Sequence, residues 1–183
     1  MGNGWGYQTL EVGATTIPGW IVVSDQIAWF VDMNFVGIPA DDGAGFLELT
    51  GEHDSIPIGG VSQTIATTPL QTYTLSLSLG SAQDYSELGG AKTVLVTAGS
   101  ASTMFTFTPS EPGNQWGTFS FDFVAADPST EISITGISAG SGFRYLAIDN
   151  VAVVPEPAIS AFILSGAAMF LRRRAPRTYE RNA

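Results

Sequence analysis

The sequence contains no cysteine and a single histidine, His53, among its 183 residues. Without cysteine the chain has no disulfide framework, no thiolate metal site and no cysteine nucleophile. One histidine excludes metal sites built from several imidazoles and argues against most nucleophile chemistry that a histidine relays. Because His53 stands between Glu52 and Asp54 in a polar stretch, we expect an exposed side chain rather than a ligand or general base.

Charged residues are also scarce, at 13% of the chain, and the pI is about 4.2. A chain with so few cations cannot neutralise many phosphates, so no nucleic-acid partner is expected. Residues 1–154 hold fifteen acidic and two basic side chains, a net charge of −13, whereas residues 155–183 carry +3. This change of sign predicts a body at 1–154 and a separate C-terminal segment at 155–183.

The C-terminal segment begins with a proline-rich motif, continues with an apolar stretch and then turns basic. In order it contains Pro155, Glu156, Pro157, the uncharged residues 158–171, and Arg172, Arg173 and Arg174. A helix over 158–171 would be about 21 Å long, against about 30 Å of hydrocarbon in a bilayer. Since apolar and small residues surround its circumference, we expect this helix in a membrane; an amphipathic helix packed on the body is the alternative.

This arrangement resembles the PEP-CTERM protein-sorting signal, whose recognition enzyme is a membrane protein called exosortase. The resemblance implies that residues 155–157 are the sorting motif and that the arginine cluster 172–174 stops transfer, with no catalytic role for either. It also implies an exported body, transiently anchored in the inner membrane and destined for the cell envelope or the extracellular space. A proline-rich linker before an ordinary apolar helix is the alternative.

Export of this kind requires an N-terminal signal peptide, and the first residues do not resemble one. Met1 is followed by Gly2, Asn3, Gly4 and Trp5, with neither a basic region nor an apolar core. We therefore expect that the chain starts at an internal methionine and that its signal peptide lies upstream.

The body has the alternation of half-buried β-strands. Residues 71–79 alternate apolar and polar side chains strictly, and residues 118–123 do the same with three phenylalanines. We expect about ten strands, at 20–23, 27–31, 46–50, 61–66, 71–79, 93–96, 104–108, 118–123, 131–135 and 143–153. Short strands between Gly-, Pro- and Asp-rich turns predict an all-β, two-sheet β-sandwich or jelly roll, followed by a single C-terminal hydrophobic helix.

A second resemblance covers most of the body. Residues 9–20, residues 59–66 followed by Tyr73, and residues 145–151 together resemble the bacterial choice-of-anchor C domain. The resemblance implies a galactose-binding-like jelly roll, an extracellular location and association with polysaccharide. The strand that usually opens this family has no match here, which predicts that the first strand is missing.

Carboxylates are the only abundant reactive groups. Six of them fall within residues 32–54, and we expect most to be solvated turn residues: Asp32, Asp41, Asp42, Glu48, Glu52 and Asp54. A structural calcium ion is one role for Asp149, by its position in the last strand of the resembled jelly roll; capping a strand edge or bonding a neighbouring loop is the other. No further cofactor is expected. Lys92 and Arg144 are predicted to form weak surface ion pairs.

Aromatic side chains are the candidates for sugar contacts, because the CH faces of sugars stack on rings. They are Trp5, Tyr7, Trp20, Trp29, Tyr85 and Trp116, of which Trp20 is expected in the core and any single ring is better explained by burial. The sequence thus predicts a non-catalytic, exported surface or matrix protein with polysaccharide as a partner. A carbohydrate-active enzyme using a carboxylate pair and a purely structural matrix protein are the alternatives.

Overall fold

The structure, a computed structural model, describes residues 6–31, 39–82, 88–139 and 145–157. Within these ranges the chain forms eleven strands and no helix, which confirms the all-β prediction. The strands are β1 (Tyr7–Leu10), β2 (Ile21–Ser24), β3 (Ile27–Val31), β4 (Gly45–Glu48), β5 (Gly60–Ala66), β6 (Thr72–Ala82), β7 (Lys92–Ala98), β8 (Ala101–Phe107), β9 (Asn114–Val124), β10 (Ser129–Ser138) and β11 (Ala147–Pro155).

The strands form two antiparallel sheets that enclose one main core. Sheet A has the order β1-β3-β4-β11-β6-β9, and sheet B has the order β2-β5-β10-β7-β8. Many neighbours in these sheets are far apart in sequence, so long-range pairing rather than local hairpins sets the order of strands. The predicted two-sheet sandwich is confirmed.

The core follows from the alternation read in the sequence. In β6 the side chains of Leu75, Leu77 and Leu79 are fully buried between the sheets. Ser76 and Ser78 alternate with them on the opposite face, where Ser78 is also buried and donates its hydroxyl to Asp41. β9 lies beside β6 in a register that places Phe121 opposite Leu75 and Phe119 opposite Leu77. Burial of each such side chain contributes about 1.5–3 kcal/mol, so these two strands supply much of the core's stability.

A second, smaller apolar group lies on the outer face of sheet A, and we call it the outer-face cluster. Its buried members are Ala28, Phe30, Phe46, Ala82, Tyr145 and Ala147. Phe30 and Phe46 stack with centroids 4.9 Å apart and rings almost parallel, and Trp116 meets Phe46 edge-on. Sheet A is therefore covered by apolar side chains on both faces at this end, which simple alternation does not predict.

All ten predicted strands have counterparts in the structure, and one strand was missed. β1 has only four residues, of which Leu10 alone is buried, and it exists because it pairs with β3 along its whole length. The predicted helix at 158–171 lies outside the described residues. In the part of the chain that the structure describes, no helix has the length and apolar character needed to cross a membrane.

The backbone at Gly59, just before β5, lies very close to the backbone of Gln26 and Leu49. A Cβ at this position would lie 2.5 Å from the Gln26 carbonyl oxygen and 2.6 Å from the Leu49 carbonyl oxygen. Both obstacles are backbone, which cannot swing aside, so we expect Gly59→Ala to cost at least about 2 kcal/mol of unfolding free energy. That corresponds to a fall in Tm of roughly 5 °C or more.

The measurement is thermal unfolding by calorimetry, with the exposed Ser102→Ala in β8 as the control. An unchanged Tm for Gly59→Ala, equal to that of the control, would contradict the close approach of these three backbone segments.

Candidate functional site

A cleft opens in the sandwich where β11 separates from β4. The two strands pair only at Ala147 and Ile148, although β11 continues to Pro155. The register of β11 against β6 shifts between Asp149 and Ala152, which marks a β-bulge. Within it Asn150 has φ of 49°, a left-handed conformation that Asn tolerates better than most residues. Bulges of this kind bend strands and redirect side chains beside functional sites.

Two adjoining cavities make up the cleft. The larger has a volume of about 370 Å³ and includes Gln63, Ile65, Val153 and Pro155 in its lining. The smaller, of about 210 Å³, includes Trp29, Leu47, Asp149 and Asn150. Trp20 and Val151 line both cavities and so stand at the boundary between them. The larger volume falls in the range of about 300–1,000 Å³ typical of small-ligand pockets.

Two tryptophans give the cleft its aromatic character. Trp20 ends a turn after Gly19, whose φ is +82°, and its backbone N–H donates to the Ile17 carbonyl at 3.0 Å. Trp29 lies in β3 opposite Leu47 of β4. Both rings pack against the core yet remain half-buried rather than enclosed. The expectation of a core position for Trp20 therefore holds in part, because its ring also lines the cleft.

Side-chain amides supply the polar groups of the cleft. Gln63 lies in β5 with its Nε2 about 2.5 Å from where a Cβ on Gly19 would stand, so glycine at this turn leaves room for the amide. Asn150 is exposed at the bulge. Among the described residues, the lining of each cavity thus includes one residue with a side-chain amide, a group that both donates and accepts hydrogen bonds.

Asp149 bonds a neighbouring loop, which is one of its two predicted roles. Its Oδ2 accepts the backbone N–H groups of Asp41 at 2.8 Å and Asp42 at 3.0 Å, and its Oδ1 accepts that of Asn150 at 2.7 Å. The described residues contain no group of three carboxylate or imidazole side chains placed to hold a metal ion. Both carboxylate oxygens of Asp149 thus accept N–H groups here, and a calcium ligand role for Asp149 stays a prediction.

Glu48 was predicted among the solvated turn carboxylates, and the structure shows otherwise. It is the last residue of β4 and is 4% exposed. Its Oε1 accepts the N–H of Thr50 at 2.8 Å, the Thr50 hydroxyl at 2.5 Å and the N–H of Leu146 at 3.0 Å, while Oε2 accepts the N–H of Gly51 at 2.9 Å. Burial nevertheless dominates and raises the pKa of Glu48 to about 7.

The prediction of a surface ion pair for Lys92 was also wrong. Lys92 begins β7 with its side chain fully buried, and its ammonium donates to the carbonyl oxygens of Ala139 at 2.5 Å and Gly89 at 3.1 Å. Burial lowers the pKa of Lys92 to about 8, and the charge of Glu48 opposes that change. The nearby Tyr145 has a buried hydroxyl with no hydrogen-bond partner among the described residues, and burial raises the pKa of its phenol.

Other predicted candidates have structural roles. His53 is half-exposed and its Nδ1 lies 3.0 Å from Asp25, as expected for a surface histidine. Tyr7 and Trp116 pack against the outer-face cluster, where Trp116 donates its indole N–H to the Pro39 carbonyl at 3.2 Å. Four candidates lie outside the described residues: Trp5, Asp32, Tyr85 and Arg144.

The residues of the predicted sorting motif continue the sheet instead of leaving it. Pro155 ends β11 opposite Tyr73, and the N–H of Glu156 donates to the Thr72 carbonyl at 2.9 Å. The Glu156 carboxylate accepts the Thr74 hydroxyl at 2.5 Å, and its carbonyl accepts the Gln71 amide at 2.6 Å. Pro157 is exposed, and the arginine cluster 172–174 lies outside the described residues.

Comparison with known proteins identifies the fold and no family. No family model matches the chain, and no curated protein matches it. Among solved structures, the enzymatically active domain of tailspike protein 4 from bacteriophage CBA120 is similar with a TM-score of 0.50 and 14% identity, over 79% of this chain and 21% of that one. At this identity the likeness concerns the fold alone.

Several structural neighbours are carbohydrate-binding modules with a β-sandwich fold. A family 35 module from Clostridium thermocellum matches with a TM-score of 0.46 and 10% identity, over 81% of this chain and 99% of that one. The Podospora anserina GH26-CBM35 β-(1,4)-mannanase matches with a TM-score of 0.48 and 18% identity, over 84% of this chain and 28% of that one. The chain therefore spans less than a third of the mannanase and of the tailspike domain.

Glu48 leads to a prediction about stability and pH. In the unfolded chain this carboxyl loses its proton near pH 4.5, whereas in the folded chain it keeps the proton up to about pH 7. The folded state thus binds more protons in this window, so the stability contributed by Glu48 falls as pH rises from 4.5 to 7. Because glutamine cannot ionise, we expect the unfolding free energy of Glu48→Gln to lack this pH-dependent contribution.

The measurement is Tm at pH 5 and pH 7 for the wild type, Glu48→Gln and the exposed control Glu131→Gln. The wild type and control should lose more stability between these values than Glu48→Gln does. An equal change in Tm between pH 5 and pH 7 for all three proteins would contradict the raised pKa of Glu48.

Proposed function

We propose that the chain is a non-catalytic carbohydrate-binding domain whose binding site is the cleft beside β11. The observation that carries the proposal is the pairing of two half-buried tryptophans, Trp20 and Trp29, with a separate amide in each adjoining cavity. Sugar rings present CH faces that stack on aromatic rings and hydroxyl groups that exchange hydrogen bonds with amides. An apolar cleft with a few polar groups suits such a ligand.

We further propose that the protein is exported to the cell envelope or matrix and sorted through residues 155–174. The proline-rich motif, the apolar stretch and the three arginines support this part of the proposal, together with the strongly acidic body. Its partners are an exosortase-type enzyme, the membrane that holds the tail before processing, and polysaccharide outside the cell.

Binding is tested by following tryptophan fluorescence and by affinity electrophoresis with cellulose, β-1,3-glucan, mannan and galactan. Because Trp20 lines both cavities, Trp20→Ala should weaken binding at least tenfold, while Trp20→Phe keeps an aromatic face and retains most of it. The matched control is Met104→Ala on the outer face of sheet B, where the side chain is 66% exposed.

The result that contradicts the proposal is a wild-type protein retained by no glycan, which favours a structural matrix role. Release of reducing sugar from any of these glycans would instead establish the enzyme alternative.

Sorting is tested by mass spectrometry of the full-length exported protein in cells that contain exosortase. We expect a mature C-terminus at or near residues 155–157 and an uncut tail in Glu156→Ala. Since Glu156 also bonds to the body, Thr74→Val is the matched control: it removes one of those bonds and leaves the motif intact, so processing should proceed. A wild-type chain that stays intact through Ala183 would exclude processing.

A further inference from the structure

We infer that the two cavities are two subsites for one uncharged, linear glycan chain that passes over Trp20. This inference rests on the proposed carbohydrate-binding function and specifies the class of ligand. Two observations support it. The cavities meet at Trp20, and the described residues that line them include no cationic side chain.

The arrangement of the cavities favours a chain over a single sugar. Among the described residues, the two linings share Trp20 and Val151, and each includes one residue with a side-chain amide, Gln63 in the larger cavity and Asn150 in the smaller. A single sugar ring can occupy one cavity and meet one amide. A linear oligosaccharide fills both, stacks on the shared indole and reaches both amides, so additional sugar units add contacts until the two cavities are filled.

The electrostatics of the cleft favour an uncharged chain. In the part of the chain that the structure describes, the lining of neither cavity includes a lysine, arginine or histidine. Asp149 is the acidic residue among the described lining residues, and its carboxylate already accepts three backbone N–H groups. Body residues 1–154 carry a net charge of −13. Uronic acid or sulfate groups would enter a negative field without a cation to pair with, which disfavours their binding.

The geometry of Gln63 and Asn150 allows each subsite to be altered separately. Gln63→Ala removes the amide of the larger cavity without changing the strand backbone. Asn150→Gly removes the amide of the smaller cavity and keeps a residue that adopts positive φ freely. The two residues lie on different strands, β5 and β11, which belong to different sheets.

The experiment is titration calorimetry of the wild type with mono- to hexasaccharides of four neutral series: β-1,4-glucose, β-1,4-mannose, β-1,3-glucose and β-1,4-galactose. In the series that binds, affinity should rise at least tenfold from the monosaccharide to the tri- or tetrasaccharide and then level off. Oligogalacturonate and alginate oligomers should bind at least tenfold more weakly than the neutral hexasaccharide at low salt.

The variants then separate the subsites. Gln63→Ala and Asn150→Gly should each weaken hexasaccharide binding about three- to tenfold. For the disaccharide, only one of the two variants should matter, because a short ligand occupies the better subsite. Ser102→Ala, on the outer face of sheet B, should change neither affinity.

The outcomes distinguish this inference from the proposed function. Monosaccharide and hexasaccharide binding of equal strength would overturn the two-subsite arrangement, and tighter binding of oligogalacturonate or alginate would overturn the uncharged ligand; both leave carbohydrate binding intact. Binding of no oligosaccharide at all would overturn the proposed function itself.

Discussion

The buried carboxylate of Glu48 is the constraint on which the arrangement of sheet A depends. It holds the turn after β4 through Thr50 and Gly51, and it holds the segment before β11 through Leu146. These bonds fix β11 beside β4 at Ala147 and Ile148, the two positions where the strands pair. Burial raises the pKa of this carboxyl to about 7, and its four hydrogen bonds from Thr50, Gly51 and Leu146 act against that rise.

The cleft lies next to the part of β11 that follows its short pairing with β4 at Ala147 and Ile148. β11 is held to β4 for two residues and then bulges, so that from Asp149 onward no described strand pairs with it on that side. Trp20, from the turn before β2, and Trp29, from β3, border the cleft. A site formed this way has walls made of residues from the strands of both sheets and of Ile17 and Trp20 from the segment between β1 and β2.

Sequence alternation predicted the strands well because a half-buried strand alternates apolar residues on its core face with polar residues on its other face. β6 and β9 show this most clearly, with leucines and phenylalanines facing the core. It failed for β1, whose stability comes from pairing with β3, and for Glu48 and Lys92, whose residue types normally mark exposed positions. Their burial depends on contacts with distant parts of the chain, such as those of Glu48 with Leu146 and of Lys92 with Ala139, and a local sequence pattern does not reveal such contacts. The same limit applied to Trp20, because the residues that line the cleft with it come from strands of both sheets.

The continuity of β11 into Glu156 has a mechanical meaning. β11 lies inside sheet A, between β4 and β6, and the chain beyond Pro157 is reached only through it. Tension applied along the strand from that end would load the whole ladder between β11 and β6 in shear, so that its hydrogen bonds resist together instead of opening one at a time. A pull in that direction would therefore be resisted by the β11–β6 ladder, and the load would pass along the wall of the cleft.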